Sequence, residues 1–468
     1  MQTDRSFQVR AAEAPRDRIS RAIEVVESGL IEREDHARVL VLAALCGEHL
    51  LLIGPPGTAK SELARRLHRI FGGRYFERLL TRFSVPEELF GPLSLAALDE
   101  GRYERDIAGY LPDATIGFLD EVFKGNSAIL NALLTLLNER VFDQGSERVE
   151  TPLISLVAAS NELPHEDTLK AFEDRFLFRY PVAAVADDHF AELLAIDPDR
   201  AAPSGEAILD RNGVAHVATL ARNVPLTGAV RDALLALRVE MRERGIEISD
   251  RRWVRATRAL RIAASTNGGV RVELTDLWIL KAILALDAEQ ADRLESWYCD
   301  CIGAAEVVDP QRCARIVQAF EKQLELERSA TELAFDDAGK LSLMRRRSTE
   351  DGSDLGDSAP RISAFSRGRR YSATHVAARL SQIDDVVRQF DGYLHAAKEH
   401  STSVEARLAA HLWVPARVAQ RVADVLAATA ARVTELRSVL MQVREGYFGL
   451  PLTEDDNDVA PNPVQILD

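Results

Sequence analysis

Residues 49–61 read HLLLIGPPGTAKS, an apolar run followed by a glycine- and proline-rich turn that ends in lysine and serine. This order predicts a buried strand feeding a turn that opens a helix, whose N–H groups and dipole favour anions. Lys60 can reach the β- and γ-phosphates of a nucleotide there, and the Ser61 hydroxyl can hold Mg²⁺. The candidate phosphate-binding residues are Gly54, Pro55, Pro56, Gly57, Thr58, Ala59, Lys60 and Ser61.

Ala59 departs from the usual form of this loop, which has glycine at that position. We expect alanine to serve there if the residue takes an ordinary helical φ, because only a positive φ favours glycine. The alternative is a chance turn before an amphipathic helix, and the loop alone does not exclude it.

Two further apolar segments end in polar residues. TIGFLDE at 115–121 ends in Asp120 and Glu121, and LISLVAASN at 153–161 ends in Asn161. We expect the first segment to form the strand beside the phosphate-loop strand, with its carboxyl end towards the nucleotide. Asp120 would then hold Mg²⁺ through the ion's water shell, while Glu121 would polarise the attacking water and Asn161 would orient it. The alternative for the acidic pair is a solvated turn after an edge strand.

Arginines follow in AFEDRFLFRYP at 171–181. Arg175 and Arg179 suit a finger that reaches a neighbouring subunit's γ-phosphate and stabilises charge in the transition state. The alternative for either arginine is a local ion pair with Glu173 or Asp174.

A third group of arginines lies in ISDRRWVRATRAL at 248–260. The pattern predicts a helix that begins with Ser249 or Asp250 as its N-cap. Arg251 or Arg252, at the start of this helix, could touch the γ-phosphate from a lid. Adjacent arginines on a helix are also common on solvated surfaces.

The order of these segments resembles the MoxR family of AAA+ ATPases, and most closely its RavA branch (regulatory ATPase variant A). The matching stretches span residues 40–182 and include LLIGPPGTAKSELARRL, GYLPDATIGFLDEVFKGNSAILNALLTLLNER, LVAASNELP and EDRFLFR. The resemblance implies ATP and Mg²⁺ as cofactors, with Asn161 as sensor 1, Arg175 as the arginine finger and Arg251 as sensor 2. It also implies that the segment near 29–31 borders the adenine.

The same resemblance implies a homo-oligomeric ring, most simply a hexamer, that performs chaperone-like remodelling or maturation of a partner complex. The expected partner is a protein with a von Willebrand factor A domain. Some members of the RavA branch dock a lysine decarboxylase through a β-rich insertion. We do not carry that partnership over, because the interval at 343–372 is short and poor in β-branched and aromatic residues.

Composition favours a cytoplasmic protein. The 468 residues include 58 Lys and Arg against 73 Asp and Glu, so the formal charge is −15. This balance argues against general affinity for nucleic acid or anionic membranes. No apolar run reaches the length of a membrane span, and the N-terminus lacks the apolar core of a secretion signal. Cys299, Cys301 and Cys313 lack a recognisable fourth metal ligand, so reduced thiols are the better interpretation.

The fold class we predict is α/β: an AAA+ core with a parallel sheet, an all-α lid, and a C-terminal helical bundle or arm. The expected boundaries are 1–184 for the nucleotide-binding domain, 185–305 for the lid, 306–448 for the arm with a flexible insertion near 335–372, and 449–468 for a disordered acidic tail. Within the first domain, 83–111 is an insertion and VFDQGSERVETP predicts a hairpin around Gly145. The resemblance implies that such insertions face a central pore or a partner, and the alternative is that they are ordinary surface loops.

Two rival classes of function remain open. A nucleic-acid-stimulated motor would share the ATP site, but the acidic balance and the lack of a basic, aromatic-rich groove argue against it. A nucleotide-gated scaffold would bind ATP without turnover, which the full set of candidate catalytic residues argues against.

Overall fold

The computed structural model describes residues 15–145, 147–164, 167–196, 207–303, 309–333, 343–344, 363–364, 366–453 and 461–465. The chain forms two compact units, the first from 1–302 and 406–421 and the second from 303–405 and 422–468. Most of the predicted flexible insertion and much of the predicted acidic tail lie outside the described residues. Among the described residues, no helix has the length and apolar character that a membrane span requires.

A five-stranded parallel sheet forms the centre of the first unit, which confirms the predicted α/β class. Its order is β2-β3-β6-β1-β7. The strands are β1 (Leu50–Ile53), β2 (Tyr75–Leu79), β3 (Ile116–Asp120), β6 (Ser155–Ser160) and β7 (Phe178–Pro181).

The expectation that the acidic strand lies beside the phosphate-loop strand is wrong. Strand β6 lies between them, pairing Leu119 of β3 with Ala158 and Ile53 of β1 with Ser160. All six residues of β6 are buried, as expected of a central strand of a parallel sheet. The carboxyl ends of β1, β3 and β6 still share one edge of the sheet, because these strands pair parallel.

The helices of the α/β part follow the predicted alternation with the strands. Helix α6 (Ser127–Glu139) buries the apolar residues Ile129, Leu133 and Leu136 in the core beside the sheet. The side chain of Asn126 caps α6 by accepting from Ile129 N at 3.0 Å. The helices are α1 (Pro15–Glu27), α2 (Glu34–Leu45), α3 (Lys60–Phe71), α4 (Pro86–Phe90), α5 (Leu95–Asp99), α6 (Ser127–Glu139) and α7 (Asp167–Glu173), with 3₁₀ turns at Leu111–Asp113 and Val122–Lys124.

The predicted hairpin is present as β4 (Val141–Gln144) and β5 (Glu147–Glu150), which pair antiparallel. Phe142 stacks on Phe90 of the 83–111 insertion, with ring centroids 5.4 Å apart. Gly145, at φ +61°, would place a Cβ only 2.5 Å from the Tyr103 carbonyl oxygen. The hairpin and the insertion therefore pack as one element.

The lid is helical, as predicted. The Ser249 hydroxyl caps helix α11 (Asp250–Thr266) by accepting from Arg252 N at 3.2 Å, which confirms the predicted helix start. Its helices are α8 (Phe190–Leu194), α9 (Arg211–Ala221), α10 (Gly228–Glu243), α11 (Asp250–Thr266), α12 (Lys281–Leu284) and α13 (Ala288–Gly303), with 3₁₀ turns at Asp187–His189 and Leu274–Leu280.

The segment 406–421, which the sequence pattern places in the arm, packs within the first unit. Trp413 is fully buried, and its indole Nε1 donates to Ala263 O at 3.1 Å and Thr266 Oγ1 at 3.0 Å. These contacts hold the segment against α11. The apolar periodicity of the sequence does not indicate them.

The second unit is built on three helices, α14 (Pro310–Ser329), α15 (Ala373–Ala409) and α16 (Ala416–Phe448). The apolar stripes of the three helices form its core, as predicted. Two short antiparallel pairs, where only a flexible loop was expected, join β8 (Thr331–Leu333) to β11 (Ser366–Gly368) and β9 (Leu343–Met344) to β10 (Ser363–Ala364).

Candidate nucleotide-binding site

The carboxyl ends of four neighbouring strands meet at one edge of the sheet. Gly54 N, directly after β1, donates to Ser160 O at 3.0 Å, and Val182 N donates to Ile53 O at 2.7 Å. The phosphate loop, the acidic pair after β3 and Asn161 after β6 therefore share the edge at which ligands of open α/β sheets bind.

Lys60 is the cation of the phosphate loop. Its side chain is 7 % exposed, and Nζ donates to Gly54 O and Pro55 O, both at 2.7 Å. Burial lowers the pKa of Lys60, whereas the nearby Asp120 and Glu121 carboxylates act in the opposite direction. The loop thus holds an ammonium between its own carbonyls and the acidic pair, where nucleotide phosphates would lie.

Two residues of the phosphate loop have unusual backbone surroundings: Gly54 lies very close to a neighbouring chain segment, and Ala59 has a strained conformation. A Cβ on Gly54 would lie 2.0 Å from Val182 O, so only glycine fits between β1 and the end of β7. Ala59 takes φ +67° and ψ +23°, in the left-handed region. The condition stated for alanine, an ordinary helical φ, is therefore not met, and the loop carries a strained alanine where glycine would be relaxed.

The acidic pair is held by its neighbours. Glu121 N donates to Asp120 Oδ1 at 3.0 Å. The Glu121 carboxylate accepts from Asn161 Nδ2 at 2.6 Å and lies 3.3 Å from Lys124 Nζ. Glu121 also takes a left-handed φ of +53°, a strain typical of functional positions. The structure thus brings together two residues that we predicted to act on the same water.

A cavity of about 1330 Å³ adjoins the phosphate loop and is lined in part by Gly29, Leu30 and Ile31. Arg33, also in its wall, is 4 % exposed and reaches the loop by donating to Thr58 O at 3.4 Å. The Arg33 guanidinium also donates to Ala183 O at 2.7 Å. Sequence reasoning missed this residue, which ties the cavity wall to the loop.

The two finger candidates differ in accessibility. Arg179, on β7, is 6 % exposed and pairs with Glu173 at 3.1 Å. Burial lowers its pKa, and the two carboxylates, Glu173 and Asp174, counteract that effect. Arg175, in the turn before β7, is half-buried. The structure therefore realises the ion-pair alternative for Arg179 and leaves Arg175 the more accessible of the two.

The two lid arginines, Arg251 and Arg252, also differ in accessibility. Arg252 is 4 % exposed and donates to Leu177 O at 2.8 Å, Ile283 O at 2.7 Å and Phe176 O at 3.0 Å. Burial is the main cause that lowers its pKa, to about 10. Arg251 is exposed and donates to Asn138 Oδ1 at 3.3 Å. Arg252 clamps the lid to the core, and only Arg251 is accessible to a ligand.

The lid helix begins at the edge of the sheet opposite the phosphate loop. Asn138, to which Arg251 donates, lies at that edge. Its neighbour Leu137 places its carbonyl oxygen 3.1 Å from Nε2 of His49, and His49 is the residue directly before β1. Strand β1 separates the two edges by four residues, roughly 13 Å. Arg251 therefore lies beside the edge opposite the phosphate loop of its own chain, and its predicted contact with a γ-phosphate stays a prediction. Arg175, whose carbonyl accepts from Arg255 at 3.4 Å, lies at the same opposite edge.

Sequence reasoning also missed a charge network around three buried residues, Asp35, Lys281 and Glu295, which reaches the cavity through Asp35 and Arg417. Lys281 Nζ lies 3.0 Å from Asp35 and 2.5 Å from Glu295, and Arg417 bonds to both carboxylates. Burial alone would raise the pKa of Asp35, but Lys281 and Arg417 lower it to about 2. These four residues come from distant parts of the chain, so no local pattern marks them.

Comparisons with known proteins agree with this geometry. A family model described as the MoxR domain in the MoxR-vWA-beta-propeller ternary systems matches residues 17–210, and a AAA lid domain matches 229–298. An uncharacterized protein of Methanocaldococcus jannaschii is 40 % identical over 262 residues, 56 % of this chain and 69 % of that protein. The chaperone MoxR1 of Mycobacterium tuberculosis is 26 % identical over 214 residues, 44 % of this chain and 54 % of that protein.

A solved structure from Cytophaga hutchinsonii, described as a candidate ATPase, matches with a TM-score of 0.50 at 18 % identity. The match covers 63 % of this chain and 96 % of that one, and it shows a common fold. The two family matches show that the chain carries a MoxR-type AAA+ domain with its lid.

Proposed function

We propose that this protein is a Mg²⁺-dependent ATPase that works as a ring, most simply a hexamer, and remodels or matures a partner complex. One observation carries the proposal: Arg175 and Arg251 lie at the edge of the sheet opposite their own phosphate loop. A head-to-tail ring would bring that edge of one subunit to the nucleotide of the next.

The phosphate loop and the cavity beside it fit ATP. The loop supplies backbone N–H groups and the Lys60 ammonium for the phosphates. Ser61 and Asp120 supply the oxygen ligands that Mg²⁺ prefers, and the ion would neutralise charge on the phosphates. The cavity wall near Gly29 to Ile31 would receive the adenine.

Glu121 is our candidate for the residue that polarises the attacking water. Both of its carboxylate oxygens are engaged, one by Asn161 and the other by Lys124. Each oxygen keeps a second lone pair, so the carboxylate could still accept a hydrogen bond from the attacking water. The Asn161 amide has a second N–H beside the carboxylate, which would help to orient the same water.

Arg175 and Arg251 of a neighbouring subunit would complete the site. Guanidinium groups stabilise the charge that develops on a transferring phosphoryl group, and such contacts are worth about 10³–10⁵ in rate. A subunit alone would hold ATP but lack this stabilisation, which makes turnover depend on assembly.

The partner is proposed on the family description. The matching MoxR model belongs to systems that include a von Willebrand factor A protein, so a protein of this class is our candidate partner. The name of the mycobacterial relative, a chaperone, supports the remodelling role. Placement within the RavA branch rests on the sequence motifs alone.

Two substitutions test the assignment of the site. Glu121→Gln should keep ATP affinity within about threefold and slow turnover by roughly a hundredfold or more, since general base catalysis is worth about 10²–10⁴. Lys60→Ala should instead weaken ATP binding. The matched control is Glu139→Gln, an exposed glutamate on α6, which should change neither. Normal turnover by Glu121→Gln would refute the assignment of the base, and ATP binding without turnover in the unmodified protein would favour a nucleotide-gated scaffold.

A further inference from the structure

Some arginines of the lid are paired with carboxylates of the lid itself. Arg238 pairs with Asp250 at 2.7 Å, and Arg244 pairs with Glu240 at 2.8 Å. By contrast, a groove of about 530 Å³ between α9 and α11 is lined by three arginines and contains no carboxylate in its lining. These arginines, which define the arginine groove, are Arg222, Arg258 and Arg261.

Among the described residues, the guanidinium groups of the arginine groove have no anionic partner. Within the part of the chain that the structure describes, none of the three makes a side-chain hydrogen bond or ion pair. Arg261 is half-buried, and its Nε is fully enclosed without an acceptor. A buried donor without a partner is unfavourable, and three like charges around one groove repel each other. In a chain with a formal charge of −15, this arrangement indicates a site for an external anion.

The rest of the lining indicates what kind of anion fits. Ala218, Ala221 and Val254 form an apolar floor, and Val254 is 71 % exposed. A bare phosphate would use the arginines but leave this floor in water. A peptide can place carboxylates on the guanidinium forks and an aliphatic side chain on the floor.

We propose that the arginine groove binds an acidic segment of a partner protein. Aspartate or glutamate carboxylates would pair with Arg222, Arg258 and Arg261, and an aliphatic side chain between them would cover Val254. This site is separate from the phosphate loop, and it does not depend on ATP turnover.

Fluorescence anisotropy tests the proposal with the full-length protein and a fluorescein-labelled peptide of alternating glutamate and leucine. The double variant Arg258→Glu/Arg261→Gln should bind the peptide at least tenfold more weakly, because charged contacts in a partly desolvated groove are lost. The matched control is Arg244→Gln/Arg293→Gln, two ion-paired lid arginines, with an expected change below twofold. Equal ATP affinity and circular dichroism confirm that all variants are folded.

The lysine variant Arg258→Lys/Arg261→Lys keeps the charge and should lose part of the affinity if the planar forks matter. Peptide binding that is unchanged in the Glu/Gln variant, or absent in the unmodified protein, would overturn the proposal. Tripolyphosphate or a single-stranded oligonucleotide that binds more tightly than the peptide, measured in a Lys60→Ala background, would assign the groove to phosphates instead. Loss of self-association in the Glu/Gln variant, without loss of peptide binding, would assign the groove to a second copy of the chain.

Discussion

Ala59→Gly should stabilise the nucleotide-free protein, although glycine usually destabilises. Ala59 has φ +67° at the start of α3, where a Cβ is too close to the following carbonyl oxygen. Relief of this strain is worth about 1–2 kcal/mol. The greater freedom of glycine in the unfolded chain offsets about 0.4–1 kcal/mol of that gain. The net expectation is a stabilisation of about 0.5–1 kcal/mol.

The matched control is Ala215→Gly, which removes the same methyl group from an exposed position of α9 with helical backbone. That change should destabilise by about 1 kcal/mol. Urea unfolding without nucleotide, followed by circular dichroism, measures both variants, and the two midpoints should move in opposite directions. A midpoint for Ala59→Gly that falls as far as that of Ala215→Gly would refute the argument from backbone strain.

Three further changes test other parts of the structure. Arg179→Ala should destabilise the protein by about 3–5 kcal/mol in thermal unfolding, because Glu173 would remain as a buried, unpaired carboxylate; a loss of turnover without loss of stability would instead indicate a finger. The pKa of His36 is lowered to about 4, first by burial and then by Arg33. The unfolded state therefore binds more protons between pH 6.5 and 4, and His36 removes about 1.4 kcal/mol of stability per pH unit as the pH falls. His36→Asn should flatten this slope in denaturant titrations, and an unchanged slope would contradict the assignment. Trp413→Ala should cost about 3–5 kcal/mol and expose 406–421 to limited proteolysis, whereas a protease-resistant variant would show that other contacts hold the segment.

Local patterns predicted the strands, the phosphate loop and the caps, because each depends on a few adjacent residues. The order of the strands was not predicted correctly, since strand adjacency depends on pairing between distant segments. The sequence likewise did not reveal that Ala59 takes a left-handed φ, which the closure of the loop imposes. Nor did it show that Arg179 is buried on β7.

The positions of the lid arginines show the same limit. Arg251 and Arg252 are equivalent in a helix-start pattern, and only the packing of α11 on Phe176 and Leu177 buries one and exposes the other. The network of Asp35 and Lys281 joins residues 246 positions apart. Nothing short-range in the sequence could have paired them.

Mixing two inactive variants tests the shared site most directly. Arg175→Ala retains its phosphate loop but lacks the finger, and Lys60→Ala retains the finger but cannot hold ATP. Each should be nearly inactive alone. Because a head-to-tail ring pairs each loop with a neighbour's finger, an equal mixture should regain turnover at about one site in four. A mixture as inactive as its components, with mixed assembly verified, would contradict a site shared between subunits.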